Sequence, residues 1–240
     1  MSKAEDTALV WYRNDLRTLD HTGLRKAVES GYRVVAFYTF NPKHYHTHRW
    51  GFKKTDRFRA QFLIESVKTL QQALKSLNIS LIIDTNTPDK SLPEWIKKYN
   101  VNEIYLQHEW TEEERQEEKA VSTQIDSNII WNRHYEQFLF HPSDLPFSRS
   151  QVPEIFGTFR KRCEKEVQLR PSYPTPAALP TSNLIVVNDK VPTLADLGLP
   201  PLENDLRSAF PYLGGTKAAL KRLEQYFWKN KKLSFYKNTR

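Results

Sequence analysis

The sequence predicts an open, doubly wound α/β fold built on a five-stranded parallel sheet. Short runs of β-branched and aromatic residues alternate with longer stretches of helical periodicity. Strands that are each followed by a helix require right-handed crossovers, and these crossovers produce parallel pairing. Ligands of such sheets bind beyond the carboxyl ends of the strands. The five predicted strands occupy residues 8–13, 33–40, 79–84, 103–107 and 128–132.

Capping residues mark where the helices between these strands begin and end. The first predicted helix has Asp20 as its N-cap and Gly31 as its C-cap, and the second helix follows either Thr55 or Asp56. A later helix opens with Thr111 and a run of glutamates, because the positive end of the helix dipole favours acidic side chains. The helical stretches that complete the alternation are residues 88–100 and 111–125.

The pattern of the chain changes after residue 136. Residues 168–202 contain seven prolines and almost no helical period, which predicts a long extended linker and no ordinary core element. One helix is predicted before this linker, within residues 151–167, and one after it, within residues 215–230. We therefore expect an α/β domain, then a helix with the Pro-rich linker, then a C-terminal helix. These three segments are residues 1–135, 136–213 and 214–240.

The net charge of +8 is concentrated at the C-terminus. From Gly214 to the end of the chain, Glu224 is the only acidic residue, so this segment carries seven of the eight net charges. Five aromatic residues are interleaved with the cationic ones, and such a tail could bind phosphates and stack on bases. An amphipathic helix with its lysines in solvent explains the same pattern. The cationic residues are Lys217, Lys221, Arg222, Lys229, Lys231, Lys232, Lys237 and Arg240.

Several chemistries are excluded by the residues that are missing. The seven glycines form neither a dinucleotide-binding G-x-G-x-x-G nor a P-loop, and the G-x-S-x-G of many hydrolases is absent. Cys163 is the only cysteine, which leaves no internal disulfide and no multi-cysteine metal site. His46 and His48 alternate in a polar stretch and could ligate a metal, but histidines in such loops are usually just exposed. We expect no metal site.

The distribution of apolar residues indicates the cellular compartment in which we expect the protein. No apolar run approaches the roughly 20 residues that a membrane-spanning helix needs, and the opening residues lack the apolar stretch of a secretory signal. A lone cysteine fits a reducing environment. We expect a cytoplasmic protein, or one in an organelle lumen after targeting, without a membrane partner.

Three polar segments leave predicted strands toward the carboxyl edge of the sheet, and the most informative residue among them is Glu109. It lies just past a buried strand and just before Thr111. Its carboxylate could accept two N–H donors from a bound heterocycle, or it could cap the following helix. The residues alone favour neither role. The three segments are residues 12–17, 40–46 and 107–113.

A cluster of charge follows the first strand, where a nucleotide-binding fold usually has glycines. A sheet that does not cradle a phosphate needs no glycine turn at this corner. Arg13, Asp15 and Arg17 are therefore expected to bond to one another and to fix the loop and the neighbouring linker. Direct contact with a ligand is the alternative.

Ordered blocks along the chain resemble the photolyase and cryptochrome family. They are "LVWYRNDLRTLDHTGLRKA", "GFKKTDRFRAQFLIESVKTL", "YLQHEWTEEE", "LPFSRSQVPEIFGTFRKRCEK" and "GGTKAALKRLEQYFWKNKKLSFYKNTR". The later blocks resemble the DASH branch of cryptochromes, and the similarity spans essentially the whole chain. This resemblance implies an N-terminal α/β domain that holds an antenna chromophore, often methenyltetrahydrofolate, and a helical domain that binds FAD. In that family, light-excited reduced FAD donates an electron to a pyrimidine dimer in DNA.

The resemblance also implies roles for individual residues. Glu109 matches the carboxylate that binds the antenna pterin, with His108 beside it. Tyr236 and Arg240 match positions that contact FAD and DNA, respectively. Because these two lie at the end of the sequence, their partners in the family have no counterpart here, and the carry-over to them is weak.

Family members are roughly twice as long as this chain, so residues 214–240 are expected to be the first helix of a truncated FAD-binding domain. FAD is then not expected to bind this chain, and the chain alone is not expected to repair dimers in light. The amphipathic helix at residues 216–228 would need another partner for its apolar face. That partner could be the α/β body, a second copy of the chain or a separate FAD-domain polypeptide; without one, the helix is expected to fray.

Three functions follow from these expectations. The leading one is a module that binds an antenna pterin and is related to DNA repair and blue-light reception. The second is one part of a DNA photolyase whose FAD domain is a separate polypeptide. The third is a nucleic-acid-binding or interaction protein that uses its basic C-terminal tail.

Overall fold

A computed structural model describes residues 6–187, 190–203 and 212–238, with side chains up to Phe235. Its centre is a five-stranded sheet in the order β3-β2-β1-β4-β5, and all four strand pairs are parallel. The predicted fold class is confirmed. The strands are β1 (Thr7–Trp11), β2 (Arg33–Thr39), β3 (Ser80–Asp84), β4 (Val101–Gln107) and β5 (Ile130–His134).

Within the described residues, six α-helices flank or follow the sheet. The first two cover one face, where Leu24 and Leu70 pack on Val10, and the next two cover the other face, where Leu92 and Val121 contribute to the core. Strand β1 is buried at every residue, since its side chains alternate between these two layers. The helices are α1 (Thr22–Glu29), α2 (Arg57–Ser76), α3 (Pro88–Lys98), α4 (Glu112–Ser122), α5 (Phe156–Glu166) and α6 (Thr216–Glu224).

One helix start differs from the prediction, and another lacks the expected capping bond. Helix α1 begins after His21, whose Nδ1 accepts the backbone N–H of Leu24 at 2.9 Å, so the prediction of Asp20 as the N-cap is wrong. Asp20 instead has a left-handed φ of 51° and bonds to Tyr173 in the linker. Thr111 is the N-cap residue of α4 but makes no side-chain capping bond. Asp56 is the N-cap of α2 and accepts from the N–H of Arg57, which confirms one of the two predicted residues.

The other boundaries lie near their predicted positions. Helix α1 ends at Glu29, and Ser30 is its C-cap; Gly31, the predicted C-cap, follows with a left-handed φ of 77°. Strand β5 begins and ends two residues later than predicted. None of the helices in the described ranges combines the length and apolar character that crossing a bilayer requires.

The Pro-rich linker is extended over most of its described residues, as predicted, but it adds to the core. Leu194, Leu197 and Leu199 are buried in the layer between the sheet and helices α1 and α2. The Asn183 side chain accepts from the N–H of Val34 at 2.8 Å and donates to its carbonyl at 3.0 Å. Apolar burial and satisfied backbone groups therefore hold the linker on the α/β body.

The C-terminal segment, residues 212–238, touches the body mainly through α2. The N–H of Gly214 donates to Glu65 at 2.7 Å, and a Cβ atom at this position would lie 2.2 Å from the carbonyl oxygen of Phe62. Helix α6 ends at Glu224, earlier than the predicted 228, and a π-helical turn continues over Gln225–Lys229. No residue of α6 is buried.

Candidate functional site

The candidate site lies at the carboxyl edge of the sheet, where the chain reverses its direction of strand addition between β1 and β4. Loops that follow β1, β4 and β5 meet at this edge. Asn14 lies three residues after β1, Glu109 two residues after β4, and Gln137 three residues after β5. Crevices at such reversal points are where open α/β sheets bind their ligands.

Glu109 is buried at this edge, with 4% of its surface exposed. Its Oε1 accepts from Asn14 Nδ2 and from Gln107 Nε2, each at 3.3 Å, and its Oε2 accepts from Gln137 Nε2. All three donors are side-chain amides. The described hydrogen bonds of Glu109 include none to a backbone N–H of α4, so the structure does not support the capping role.

Aromatic side chains form a surface beside this carboxylate. Trp110 is the centre, with Tyr135 at 5.4 Å and Phe138 at 5.6 Å between ring centroids. His108 lies 5.0 Å from Trp110 and 4.7 Å from Tyr135. Between 38% and 53% of Trp110, Tyr135 and Phe138 remains exposed. A buried carboxylate is therefore followed along the chain by an accessible cluster of aromatic rings that are tilted against one another by 38° to 87°.

A second concave region lies over the ends of β1 and β2, but it is small and densely charged. Its volume is about 120 Å³, below the roughly 300–1,000 Å³ of ligand pockets. Arg13, Glu114 and Glu117 line it, and the carboxylate of Glu117 accepts from Asn41. Among the residues that the structure describes, the Tyr12 hydroxyl there has no hydrogen-bond partner, and burial raises its pKa well above the ordinary value.

The charge cluster after β1 is bonded, but its charged side chains bond to partners outside the cluster and not to one another. Asp15 and His21 are both 2% exposed, and Asp15 Oδ2 lies 2.9 Å from His21 Nε2. The N–H of Arg13 donates to Asp15 Oδ1 at 3.0 Å, which closes the turn. Because His21 Nδ1 accepts from the backbone of α1, its Nε2 carries the proton that Asp15 accepts.

The two arginines of this cluster connect the corner to distant segments. Arg13 donates to the carbonyl of Gln107, at the end of β4. Arg17 donates to the carbonyl of Asp20 at 2.9 Å and lies 3.5 Å from the carboxylate of Glu136. These contacts tie the corner to β4 and to the segment after β5, where the prediction had the three residues bonding to one another. The β4 contact places the loop of Asn14 next to Glu109.

None of the remaining predicted residues is described at this site. Tyr236 is in the short helix Lys232–Asn238, but its side chain is outside the described residues, and so is the whole of Arg240. His46 and His48 are in an exposed loop, and the described part of the chain holds no group of three or more His, Cys, Asp or Glu suited to a metal.

Sequence reasoning predicted Glu109 and His108 at this edge of the sheet but did not predict their neighbours. Asn14 and Gln107 were within the polar segments at the strand ends, yet nothing in the sequence indicated that their amides converge on one carboxylate. Gln137 and Phe138 were outside those segments, since the predicted fifth strand ended too early. Polar and aromatic residues just after every strand are the signal that would have found them.

The family model described as DNA photolyase matches residues 8–180. A cryptochrome DASH of Gloeobacter violaceus is 37% identical over 235 residues, which cover 98% of this chain and 47% of that protein. The crystal structure of a Synechocystis cryptochrome superimposes with a TM-score of 0.89 at 35% identity, over 100% of this chain and 50% of that one.

An archaeal photolyase from Sulfolobus tokodaii has the same fold. Its TM-score is 0.68 at 20% identity, over 90% of this chain and 46% of that one. The chain thus spans about half the length of the relatives that it matches.

Proposed function

The chain belongs to the DNA photolyase family, and from that premise we propose that its α/β domain binds a pterin antenna chromophore, with methenyltetrahydrofolate as the leading candidate, at Glu109. The observation that carries the proposal is the buried Glu109 carboxylate beside the exposed rings of Trp110, Tyr135 and Phe138. A pterin offers adjacent N–H donors on one edge of a flat ring system, and these two features match that pattern.

The residues at the edge fit such a ligand. A carboxylate can accept two parallel N–H bonds from an aminopyrimidine, which a neutral side chain cannot do. The present donors to Glu109 are side-chain amides, and Asn14 and Gln137 are exposed, so they can turn away without breaking secondary structure. The Trp110 ring then supplies a face for stacking.

Each residue has a distinct task in this proposal. Glu109 fixes the orientation of the ring by accepting its donors, and Trp110 with Tyr135 shields one face of the ring from water. Gln107 donates to the Glu109 oxygen from the end of β4 and keeps the carboxylate in place. A bound methenyltetrahydrofolate supplies absorption of near-ultraviolet light.

We extend the proposal to the organisation of the whole protein. The Sulfolobus tokodaii photolyase was crystallised with two FAD molecules, which implied a novel light-harvesting cofactor for that protein. By analogy, residues 1–135 are the antenna domain, residues 136–213 connect it to a flavin domain, and residues 214–240 begin that domain. Light-driven action on DNA then requires FAD bound outside the antenna domain, on the same polypeptide or on a separate one.

Glu109→Gln tests the site. The substitution keeps the size but places an N–H donor against the donors of the pterin, so affinity is expected to fall by one to two orders of magnitude, about 1.5–3 kcal/mol. Stability is expected to change by less than about 1 kcal/mol, because the surrounding amides can flip to present their oxygens. Fluorescence titration with methenyltetrahydrofolate at high micromolar concentration measures the affinity.

Glu112→Gln is the matched control, since Glu112 is an exposed glutamate in the first turn of α4 whose side chain bonds only to Gln116 among the described residues. Its affinity should equal that of the unmodified chain. If Glu109→Gln also binds with unchanged affinity, Glu109 is a structural residue and the proposed site is wrong.

A further inference from the structure

A groove beyond the end of β5 combines an unpaired cation with exposed apolar side chains. Its volume is about 460 Å³, which lies within the roughly 300–1,000 Å³ of small-molecule sites. Helix α1, strand β5, the segment after β5 and the linker all contribute to its lining. We call this region, lined among others by Lys26, His134, Leu139, Leu169, Arg170 and Tyr173, the β5 groove.

Hydrogen bonds hold the linker side of the β5 groove in place. The N–H of Tyr173 donates to Asp20 Oδ1 at 3.0 Å, and the N–H of Asp20 donates to the Tyr173 carbonyl at 2.8 Å. Arg170 donates to the two carboxylate oxygens of Asp144 at 2.6 and 2.8 Å. The groove is therefore formed before any ligand enters, and a preformed site loses little affinity to the ordering of its walls.

Most charged side chains that line the β5 groove are already paired. Glu136 accepts from the N–H of Thr22, and its carboxylate lies 3.5 Å from Arg17. Arg133 donates to Glu118. These pairs leave little charge for a ligand to neutralise.

Two polar groups of the groove have no such partner among the described residues. The described ion pairs include none for Lys26, which is exposed in the last turn of α1. The Nε2 atom of His134 is buried without a hydrogen bond. Burial, and after it the charge of Lys26, lowers the pKa of His134 to about 4, so at neutral pH its ring is uncharged and has one N–H to donate.

This pair of groups suits a single carboxylate. One ammonium balances one negative charge, and the two carboxylate oxygens can accept from the Lys26 ammonium and the His134 N–H together. A phosphate monoester carries up to two negative charges near neutral pH, and the groove has no second unpaired cation for it among the described residues.

Apolar side chains of the β5 groove are exposed to solvent. Leu139 is 74% exposed, Leu169 is 58% exposed and Phe138 is 53% exposed, and all three line the groove. Apolar side chains grouped in a concave region mark a place where an apolar ligand can be buried. Each methylene of such a ligand gains free energy when the leucines cover it.

We propose that the β5 groove binds a monocarboxylate with an apolar chain, a ligand of the fatty-acid class. The carboxylate accepts from Lys26 Nζ and His134 Nε2. The chain lies on Leu139 and Leu169.

The β5 groove adjoins the Glu109 site but uses different chemistry. Tyr135 and Phe138 line the groove and also belong to the aromatic cluster beside Glu109. A pterin brings N–H donors to a carboxylate, whereas the ligand of the groove brings a carboxylate to N–H donors. The proposal therefore does not rest on pterin binding.

The experiment titrates the 240-residue chain with sodium octanoate in a calorimeter. Octanoate is expected to bind saturably at one site. Acetate keeps the charge without the chain, and 1-octanol keeps the chain without the charge, so each should bind at least about tenfold more weakly. Shortening the chain to hexanoate should weaken binding by up to about fourfold for each methylene removed.

Lys26→Met tests the contact with the carboxylate. It keeps an apolar side chain of similar length but removes the charge, so octanoate affinity should fall about tenfold. Lys75→Met is the matched control, because Lys75 is also exposed in the last turn of its helix but does not line the groove. Octanoate should also shift the imidazole NMR signals of His134, which are identified by their loss in His134→Asn.

Leu139→Ser tests the contact with the chain and should weaken octanoate binding about fivefold, while acetate binding stays unchanged. Its control is Leu213→Ser, since Leu213 is 69% exposed and lines a separate apolar groove beside α6. This control should bind octanoate as the unmodified chain does.

The proposal is wrong if octanoate fails to bind at millimolar concentration, if 1-octanol binds equally well, or if Lys26→Met keeps the full affinity. Unshifted His134 signals at saturating octanoate would also overturn it. A loss of affinity in Leu213→Ser equal to that in Leu139→Ser would place the octanoate in the groove beside α6 instead.

Discussion

Two regions of this molecule are rich in charged residues, but one of them is buried and the other is exposed. In the corner after β1, Asp15 and His21 are 98% buried and bonded to each other, and Arg13 and Arg17 contact segments far along the chain. In the C-terminal segment, α6 has no buried residue, and Lys229 pairs only with nearby Glu224 among the described residues.

The difference shows that charge density does not identify a binding surface. The corner is charged because its polar groups satisfy one another where water is excluded. The C-terminal segment is charged on an exposed helix whose leucines, Leu220 and Leu223, are also nearly half exposed. Its apolar face needs a partner, and a second copy or a separate FAD-domain polypeptide stays a proposal for that partner.

Asp15→Ala is expected to give the largest effect. It leaves the buried His21 Nε2–H and the Arg13 N–H without acceptors, so the free energy of unfolding should fall by about 3 kcal/mol. Urea denaturation at pH 7 measures it. Glu224→Ala, which removes an exposed carboxylate, is the control and should cost less than about 0.5 kcal/mol. Equal costs would show that burial is not what separates the two regions.

The burial of Asp15 also predicts that the stability of the fold depends on pH in the acid range. Burial tends to raise the pKa of Asp15, but bonds from His21 and the Arg13 N–H outweigh it and lower that pKa below its ordinary value. Because the pKa of Asp15 is lower in the folded state, its ionised carboxylate stabilises the fold above about pH 4. This stabilisation is lost as the pH falls through the folded-state pKa. The deficit of Asp15→Ala should therefore shrink in acid. A deficit that stays constant down to pH 2 would contradict this account.

Gly214→Ala is expected to have an intermediate, local effect. A Cβ atom at this position would meet the Phe62 carbonyl at 2.2 Å, and a backbone atom cannot move aside cheaply. The C-terminal segment should separate from α2, so hydrogen exchange over 216–229 should become faster while the sheet stays protected. Gly157→Ala, where a Cβ meets nothing within 4 Å, is the control. Unchanged exchange in Gly214→Ala would mean that the segment is held elsewhere.

The last expected effect concerns His134, at the end of β5, and it is confined to acidic pH. Burial, with help from Lys26 and His21, lowers its pKa to about 4, below the roughly 6.5 of an unfolded histidine. The unfolded chain then binds more protons between these values, so stability should fall as pH drops from about 6.5 toward 4. His134→Asn should flatten this slope in urea midpoints. No histidine occurs after residue 141, so the C-terminal segment should not contribute to it.

The sequence was sufficient to predict the elements that depend on residues close to one another in the chain. The five strands were predicted because runs such as residues 33–40 are apolar on both faces, which only a sheet covered on both sides permits. Asp56 was predicted as a cap because its side chain reaches the adjacent N–H, a local geometry. Glu109 and His108 were predicted at the carboxyl edge because they follow a strand, and the structure places them there.

Contacts between distant residues could not be predicted in the same way. Asp20 was expected to cap α1, yet Tyr173, 153 residues later, binds its carboxylate, and His21 caps the helix. The aromatic surface beside Glu109 depends on Trp110 after β4 meeting Tyr135 and Phe138 after β5. The order of the strands in the sheet decides which of these residues come into contact, and no local sequence pattern encodes that order.

By itself, the sequence determined the fold class, most helix and strand positions and the candidate carboxylate. Burial produces a periodic pattern of apolar residues, and capping depends on residues that are adjacent in the sequence. Only the tertiary structure decided what each polar group binds. Asn14, Gln107 and Gln137 converge on Glu109 from three strand ends, and Arg13 reaches Gln107 across 94 residues. The reason is physical: a hydrogen bond depends on positions in space that folding brings within about 3 Å, whatever their separation along the chain.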